Sequence, residues 1–261
     1  MVGRFFPLNW RPPADEIRFA AEHGFGALQI RSDRPGAIAE YLRADLRDVG
    51  ASFRAEGVEP VLEMLVAFQG EPGTIPAALA ANLPAIESLG VRRVHVHPVG
   101  RADVEPLLLD EFGAALAIAD RAGLVFGVEH NAPGHHLLVA PATVGALLAA
   151  LPGLQFVWDV NHTRPGELDA FLAFTERLSL VHVSDTPLPE TNHHLPLGRG
   201  SVDLTLLRGL TVPLILEIGG LPLSGGYGLD TDEALIDSRA KLGLVRAEAA
   251  PAPAPADRRH P

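Results

Sequence analysis

The chain contains no cysteine. Disulfides, thiolate nucleophiles, zinc–thiolate sites and iron–sulfur clusters are excluded together, so any metal must be held by His, Asp or Glu. Lysine is nearly absent: Lys241 is the single one, late in the chain. A Schiff-base lysine or a phosphate-loop lysine is therefore not expected. Positive charge is in deficit, with 21 Lys+Arg against 32 Asp+Glu and a formal net charge of −11. That balance argues against a nucleic-acid partner, which would need a basic face. No apolar run approaches the ~20 residues of a membrane span. Ala140–Leu151 is short and interrupted by Pro141. The first ten residues lack the apolar stretch of a signal peptide, and a cytoplasmic protein is expected. No Gly-x-Gly-x-x-Gly follows the first apolar run, so no organic cofactor is expected.

What is present suits a globular domain: 47% hydrophobic and 20% charged residues over 261 positions, enough for a sizeable core. Eight short apolar runs alternate with longer stretches of helical period. The runs are Phe5–Asn9, Ala27–Arg31, Val58–Leu65, Arg93–His97, Leu124–His130, Gln155–Asp159, Leu180–Ser184 and Leu214–Ile218. Helices are expected between them, at Pro13–His23, Ala37–Gly57, Thr74–Leu89, Val104–Ala122, Ala142–Leu151, Glu167–Leu178 and Val202–Leu207, with a last one at Asp230–Leu244. Strands alternating with helices imply parallel strands joined by crossover helices. Eight such units in about 245 residues fit the α/β class and a single (β/α)8 TIM barrel; an open doubly wound sheet is the rival. The barrel is expected over residues 1–245. Residues 246–261 carry alternating Ala and Pro, which cannot sustain a helix, and read as a disordered tail.

Nine of the 11 histidines fall between residues 95 and 194. In a barrel, side chains at strand C-termini converge on one rim, where the chemistry of this architecture sits. Four successive apolar runs each carry an ionisable group near their end: Glu129, Asp159, His182 and Glu217. A carboxylate in such a strand is costly to bury alone. Four together suggest a shared divalent cation, and the oxygen-rich set suits manganese, magnesium, cobalt or a catalytic zinc. His97 points to the same rim and offers a hydrogen bond to substrate. His193 and His194, in the Asn192–Asp203 segment with Gly198 and Gly200, lie within reach of it. His95 shares a face with His97 one layer deeper and reads as structural. Glu63 is ambiguous, and His135 and His136 have no assigned role. Arg199 and Arg31 offer partners for a substrate phosphate or carboxylate.

These residues carry a resemblance. The segments Val128-Glu129-His130-Asn131, Trp158-Asp159-Val160-Asn161-His162, Val181-His182-Val183-Ser184-Asp185, His194 through Gly200 and Leu216-Glu217 resemble the xylose isomerase-like barrel superfamily, which includes sugar isomerases, epimerases and endonuclease IV. The resemblance covers about residues 4 to 244. It implies that Glu129, Asp159, His182 and Glu217 bind one divalent metal and that His162 binds substrate. It also implies that Glu129 and Glu217 move the proton in a metal-dependent isomerase or epimerase of a small sugar, polyol or related hydroxy-carbonyl compound, through an enediolate whose charge the metal stabilises. His97, His194 and Arg199 join His162 as expected substrate-binding residues. The partner implied is a small molecule, and a homo-oligomer is the general expectation.

Three rival readings stay open. A dehydratase would expel a β-hydroxyl from the same enediolate. A non-catalytic binding module would keep the metal and lose the proton transfer. An endonuclease IV-like repair enzyme would need three zinc ions. For the last, His97-Pro98 fits the fourth-strand histidine, but the third strand offers Glu63 instead of a histidine, and Asn192 stands where an aspartate is expected.

Overall fold

The computed structural model describes residues 1–5, 11–219 and 228–247. Eight parallel strands follow one another around a closed barrel. They are β1 (Val2–Phe5), β2 (Ala27–Ser32), β3 (Glu59–Phe68), β4 (Arg93–Gly100), β5 (Val125–Glu129), β6 (Gln155–Asp159), β7 (Leu178–Val183) and β8 (Leu214–Leu216). Closure comes where β8 pairs with β1, Gly3 opposite Ile215 and Arg4 opposite Leu216. Eight α-helices surround the strands: α1 (Pro13–Glu22), α2 (Ile38–Leu42), α3 (Leu46–Glu56), α4 (Thr74–Leu89), α5 (Leu108–Arg121), α6 (Pro141–Ala150), α7 (Leu168–Leu172) and α8 (Asp232–Ala247). The (β/α)8 expectation holds.

The helix ends have local causes. Pro13 opens α1, with Asp15 and Glu16 in its first turn, where a carboxylate meets the positive end of the helix. The Asp45 side chain accepts from Arg47 N at the start of α3, and Gly57 closes that helix at φ 67°, a conformation that favours glycine. The main core lies between strands and helices and is rich in aromatics, including Phe112, Phe126, Phe156, Trp158 and Phe171.

The structure corrects several boundaries. The first strand starts earlier than expected, at Val2, and is described to Phe5; the rest of the expected run, through Asn9, lies outside the described residues. Two features that look unlike a strand explain the shift. A Cβ on Gly3 would come within 2.8 Å of Ala27 Cβ, so the missing side chain permits the β1–β2 approach. Arg4 is buried in the strand because Glu16 of α1 pairs with it at 3.0 Å. The single helix expected at Ala37–Gly57 is two, broken at Arg43, which has φ 52°, and at the Asp45 cap. The segment 167–178 forms only the short α7 flanked by tight turns. The helix expected at Val202–Leu207 is a 3-10 turn, Leu204–Leu207, begun by Asp203 accepting from Thr205 N. The last helix runs to Ala247, and the Ala/Pro stretch after it lies outside the described residues. Among the described residues no helix is long and apolar enough to cross a membrane.

Candidate metal centre

Alternate residues of each strand face the barrel axis. One layer inside holds an apolar cluster of Ala27, Val61, Val157, Leu180 and Ile215, with Arg93, in register with Val61, turned to Glu59 and the Ser179 carbonyl. Two residues further along, the same five chain segments present Gln29, Glu63, Asp159, His182 and Glu217. From β4 and β5 come His95, His97 and Glu129. Asp159 and His182 are direct register partners across β6 and β7.

The polar layer is tightly gathered. His182 Nδ1 lies 3.1 Å from Glu129 Oε1 and 3.0 Å from Glu217 Oε2. His162 Nε2 lies 3.1 Å from Asp159 Oδ2. His97 Nδ1 is 3.5 Å from both Glu63 Oε1 and Glu129 Oε2, and His95 Nε2 is 3.5 Å from Glu129 Oε2. Glu129, Asp159 and His182 are fully buried, whereas Glu217 is 19% and His97 16% exposed. The cluster therefore opens toward solvent at those two side chains.

Hydrogen bonds on the far side of three imidazoles decide which nitrogen faces inward. His182 Nε2 is 2.8 Å from Gln29 Oε1 and donates to it, leaving Nδ1 for the carboxylates. His97 Nε2 donates to Asn131 Oδ1 at 2.7 Å, again leaving Nδ1 inward. Both Nδ2 hydrogens of Asn131 go to the carbonyls of Pro98 and Leu137, so its oxygen is the end left for His97. His162 Nδ1 donates to the His130 carbonyl at 3.0 Å, leaving Nε2 toward Asp159. Such outer bonds orient the ligands of metal sites.

The charges are mutually dependent. Burial alone would lower His182, but Glu129 and Glu217 outweigh it and hold the imidazole well above its ordinary value. Burial would likewise lower His97, and Glu129 and Glu63 raise it to about 9. Burial opposes ionisation of Glu129, yet His182 and His97 hold it well below the usual carboxylate range. Glu217 is held at about 2, His182 prevailing over burial. Asp159 goes the other way, pushed up by burial and then by Glu217 and Glu129. Burial keeps His162 neutral, well below its ordinary value.

The residues fit a divalent cation. Glu129 Oε2, Asp159 Oδ2 and Glu217 Oε2 are buried and accept no hydrogen bond from described residues. Left so, three carboxylate oxygens would be costly to bury. One ligand atom each from Glu129, Asp159, His182 and Glu217 lie within 4.8 Å of one another. Two further groups share members with this one: Glu63, His97 and Glu129; and Asp159, His162 and His194. A fourth is His95, Glu129 and His182.

Of the residues expected from sequence, Glu129, Asp159, His182, Glu217, His162, His97 and His194 come together. Arg199 does not: it is exposed, in a loop that Lys241 Nζ of α8 holds through the Leu197 carbonyl at 2.6 Å. That loop is tied down by Asp185, whose carboxylate accepts from the backbone of Thr186, Gly198 and Val202. A Cβ on Gly200 would lie 2.4 Å from Asp185 Oδ1, so the turn needs glycine there. Gln29, Asn131 and His130 were not singled out by sequence reasoning. Gln29 could have been found as the amide between Ala27 and Arg31 on the inward-facing side of β2. His130 is buried, with Nε2 on the Asp159 carbonyl at 3.0 Å and its ring 4.2 Å from that of Phe171; burial lowers it to about 4.

The sequence matches the family described as xylose isomerase-like TIM barrel over residues 17–210. No curated protein matches by sequence. Among solved structures, the chain is similar to the IOLI protein with a zinc atom bound, at 17% identity and TM-score 0.76, covering 96% of this chain and 99% of that one. It is similar to the 3-keto-D-glucoside 4-epimerase YcjR from E. coli, at 16% identity and TM-score 0.70, covering 93% and 98%. Endonuclease IV from Thermus thermophilus matches at 24% identity and TM-score 0.65, covering 93% and 99%. At these identities the likeness is one of fold.

Proposed function

This chain belongs to the xylose isomerase-like TIM barrel family, and on that premise we propose that it is a divalent-metal-dependent isomerase or epimerase of a small sugar, polyol or related hydroxy-carbonyl compound. The observation that carries the reading is the convergence of Glu129, Asp159, His182 and Glu217 on one point at the mouth of the barrel. These four would hold the metal. When bound, it supplies Lewis acidity toward a substrate carbonyl and hydroxyl.

The chain's own residues supply the rest. Glu129, at the end of β5, and Glu217, just beyond β8, approach His182 Nδ1 from two directions, and both are held ionised by that imidazole. One carboxylate takes the proton from the carbon beside the carbonyl, whose oxygen receives the electron pair. A carboxyl group then returns a proton. Return to the same carbon on its opposite face gives an epimer; return to the neighbouring carbon gives an aldose–ketose isomer. Glu217, partly exposed, lies nearer the solvent side. His162, neutral and with Nε2 toward Asp159, offers substrate a polar contact.

Elemental analysis of the purified protein tests the site: one divalent ion per chain, lost in Asp159→Ala, is the expected result. Glu129→Gln and Glu217→Gln should each lower turnover by about 10²–10⁴-fold in a screen of ketoses and aldoses, with the fold intact. Full activity in both variants would remove the mechanism. A second reading rests on the two groups that flank the central one, Glu63, His97 and Glu129 joined to it through Glu129, and Asp159, His162 and His194 joined through Asp159: a multi-metal hydrolase acting on phosphodiesters, as in endonuclease IV. Two or three zinc ions per chain and cleavage of abasic DNA would favour it.

A further inference from the structure

Arg31 stands apart from the other arginines of the interior. Alternation along β2 puts it on the face of Ala27, which lies in the apolar layer, and Gln29, which reaches His182 and Glu63. Arg31 is thus the next inward-facing residue, at the mouth of the barrel. Its Cα is in register with Glu63. Glu63, however, is engaged by Gln29 at 3.2 Å and by His97 at 3.5 Å. Arg31 Nε is buried and has no hydrogen-bond partner. No ion pair joins Arg31 to any described residue. Among the residues outside those described, 6–10 and 220–227 contain no aspartate or glutamate, and the only two carboxylate side chains are Glu248 and Asp257 beyond α8.

The contrast with its neighbours is chemical. Arg4 is paired with Glu16, Arg93 with Glu59, and the two terminal nitrogens of Arg177 donate to the carbonyls of Leu148, Leu151 and Leu154, whereas the Arg31 side chain has neither an ion pair nor a hydrogen bond among the described residues. A guanidinium held half-buried without a partner among the described residues loses hydration and gains nothing from them in return. An arriving anion would reverse that. The planar donor fork suits carboxylate and phosphate oxygens, which it can grip with two parallel bonds. Tyr41 of α2 lies within electrostatic reach of Arg31.

We propose that Arg31 binds an anionic group of the substrate, a phosphate ester or a carboxylate, so that the enzyme acts on a charged sugar derivative rather than a neutral one. The anion sits over β2 and the reacting carbon over the β5–β8 side of the mouth. The assignment rests on the isomerase or epimerase reading only for the events at that carbon.

The test is calorimetric titration of the manganese-loaded, full-length protein with methyl phosphate and, separately, with acetate. Wild type is compared with Arg31→Met, Arg31→Lys and Arg34→Met, the last removing a rim cation that is paired with Glu40. Wild type should bind one of the two probes. Binding should weaken about tenfold or more in Arg31→Met, recover in part in Arg31→Lys, and stay unchanged in Arg34→Met. Preference for methyl phosphate assigns a phosphorylated substrate; preference for acetate assigns a sugar acid. Binding of neither probe to wild type, or equal binding to wild type and Arg31→Met, overturns the proposal. Manganese affinity is titrated in parallel. Its absence in wild type defeats the metal-site reading alone, and the same anion comparison on metal-free protein then decides the role of Arg31. If Arg31→Met does not fold, Arg31→Lys decides: the single ammonium must bind the preferred probe more weakly than wild type.

Discussion

Two layers of one barrel, two residues apart along the same strands, have opposite chemistry. In the lower layer Ala27, Val61, Val157, Leu180 and Ile215 pack against one another. In the upper layer Gln29, Glu63, Asp159, His182 and Glu217 replace them, joined by His95, His97 and Glu129. On β6 and β7 the backbone pairing runs from one layer into the other, Val157 opposite Leu180 and Asp159 opposite His182. What differs is who satisfies whom. The lower layer is complete without a ligand, because apolar side chains ask only for contact. The upper layer is complete only in part. Imidazoles and amides neutralise some of the carboxylate oxygens, and three oxygens remain buried without a hydrogen bond. The lower layer therefore closes the barrel as a plug, and the upper layer is arranged for a cation.

The sharpest way to break this comparison is to put a carboxylate in the wrong layer. Val157→Asp would face Ala27, Val61, Leu180 and Ile215, none of which can pair with it. An unpaired buried charge costs about 3–5 kcal/mol, a large share of the 5–15 kcal/mol typical of a whole domain. The variant is expected to unfold or nearly so. Asp159→Asn, one layer up, removes a member of a repelling set and keeps an acceptor for Asn161 N, which now bonds Asp159 Oδ1 at 2.8 Å. Without metal it should be as stable as wild type or more so. Urea denaturation of both variants in chelator reads the difference. Equal stabilities would mean that the layers are not distinct.

Chelation is expected to have the next largest effect. A cation that binds only the folded chain stabilises it by about 2.7–4.1 kcal/mol at 100 to 1,000 times its Kd. Calorimetric melting of wild type should drop on adding chelator and recover with manganese. Asp159→Asn should respond to neither. A wild-type melting temperature indifferent to both would place the compensation for the carboxylates in the protein alone.

The barrel was legible in the sequence because apolar runs and glycine-marked helix ends repeat at a regular interval. The gathering of Glu129, Asp159, His182 and Glu217 was legible for a related reason: they interrupt apolar strands at equivalent places. Less legible were features that depend on partners far away in the chain. Arg4 could not be placed inside a strand without knowing that Glu16 waits beside it. The expected helix at Val202–Leu207 gave way to a turn because Asp185 draws the preceding loop inward through three backbone N–H groups. Glu63 read as ambiguous until His97 and Glu129 were seen on either side. Gln29 and Asn131 were missed because an amide has no charge to mark it, and each acts through a histidine 153 or 34 positions away.

Gln29 offers the finest distinction between the layers. It is the one polar residue of the five that is not itself a candidate ligand. Its oxygen accepts from His182 Nε2, and its amide donates to Glu63 Oε2. Gln29→Leu would extend the apolar layer upward on β2 while leaving every ligand in place. His182 would then lose the partner that keeps its proton on Nε2. Outer partners of this kind are worth about 10–100-fold in metal affinity. The variant is expected to bind manganese more weakly by that factor, with its fold retained. Nitrogen NMR of the loaded protein, using zinc as a diamagnetic ion, should show whether Nδ1 of His182 is still the metal-bound nitrogen. Unchanged affinity with an unchanged tautomer would mean that Glu129 and Glu217 orient the ring unaided, and that Gln29 serves the upper layer only by filling space.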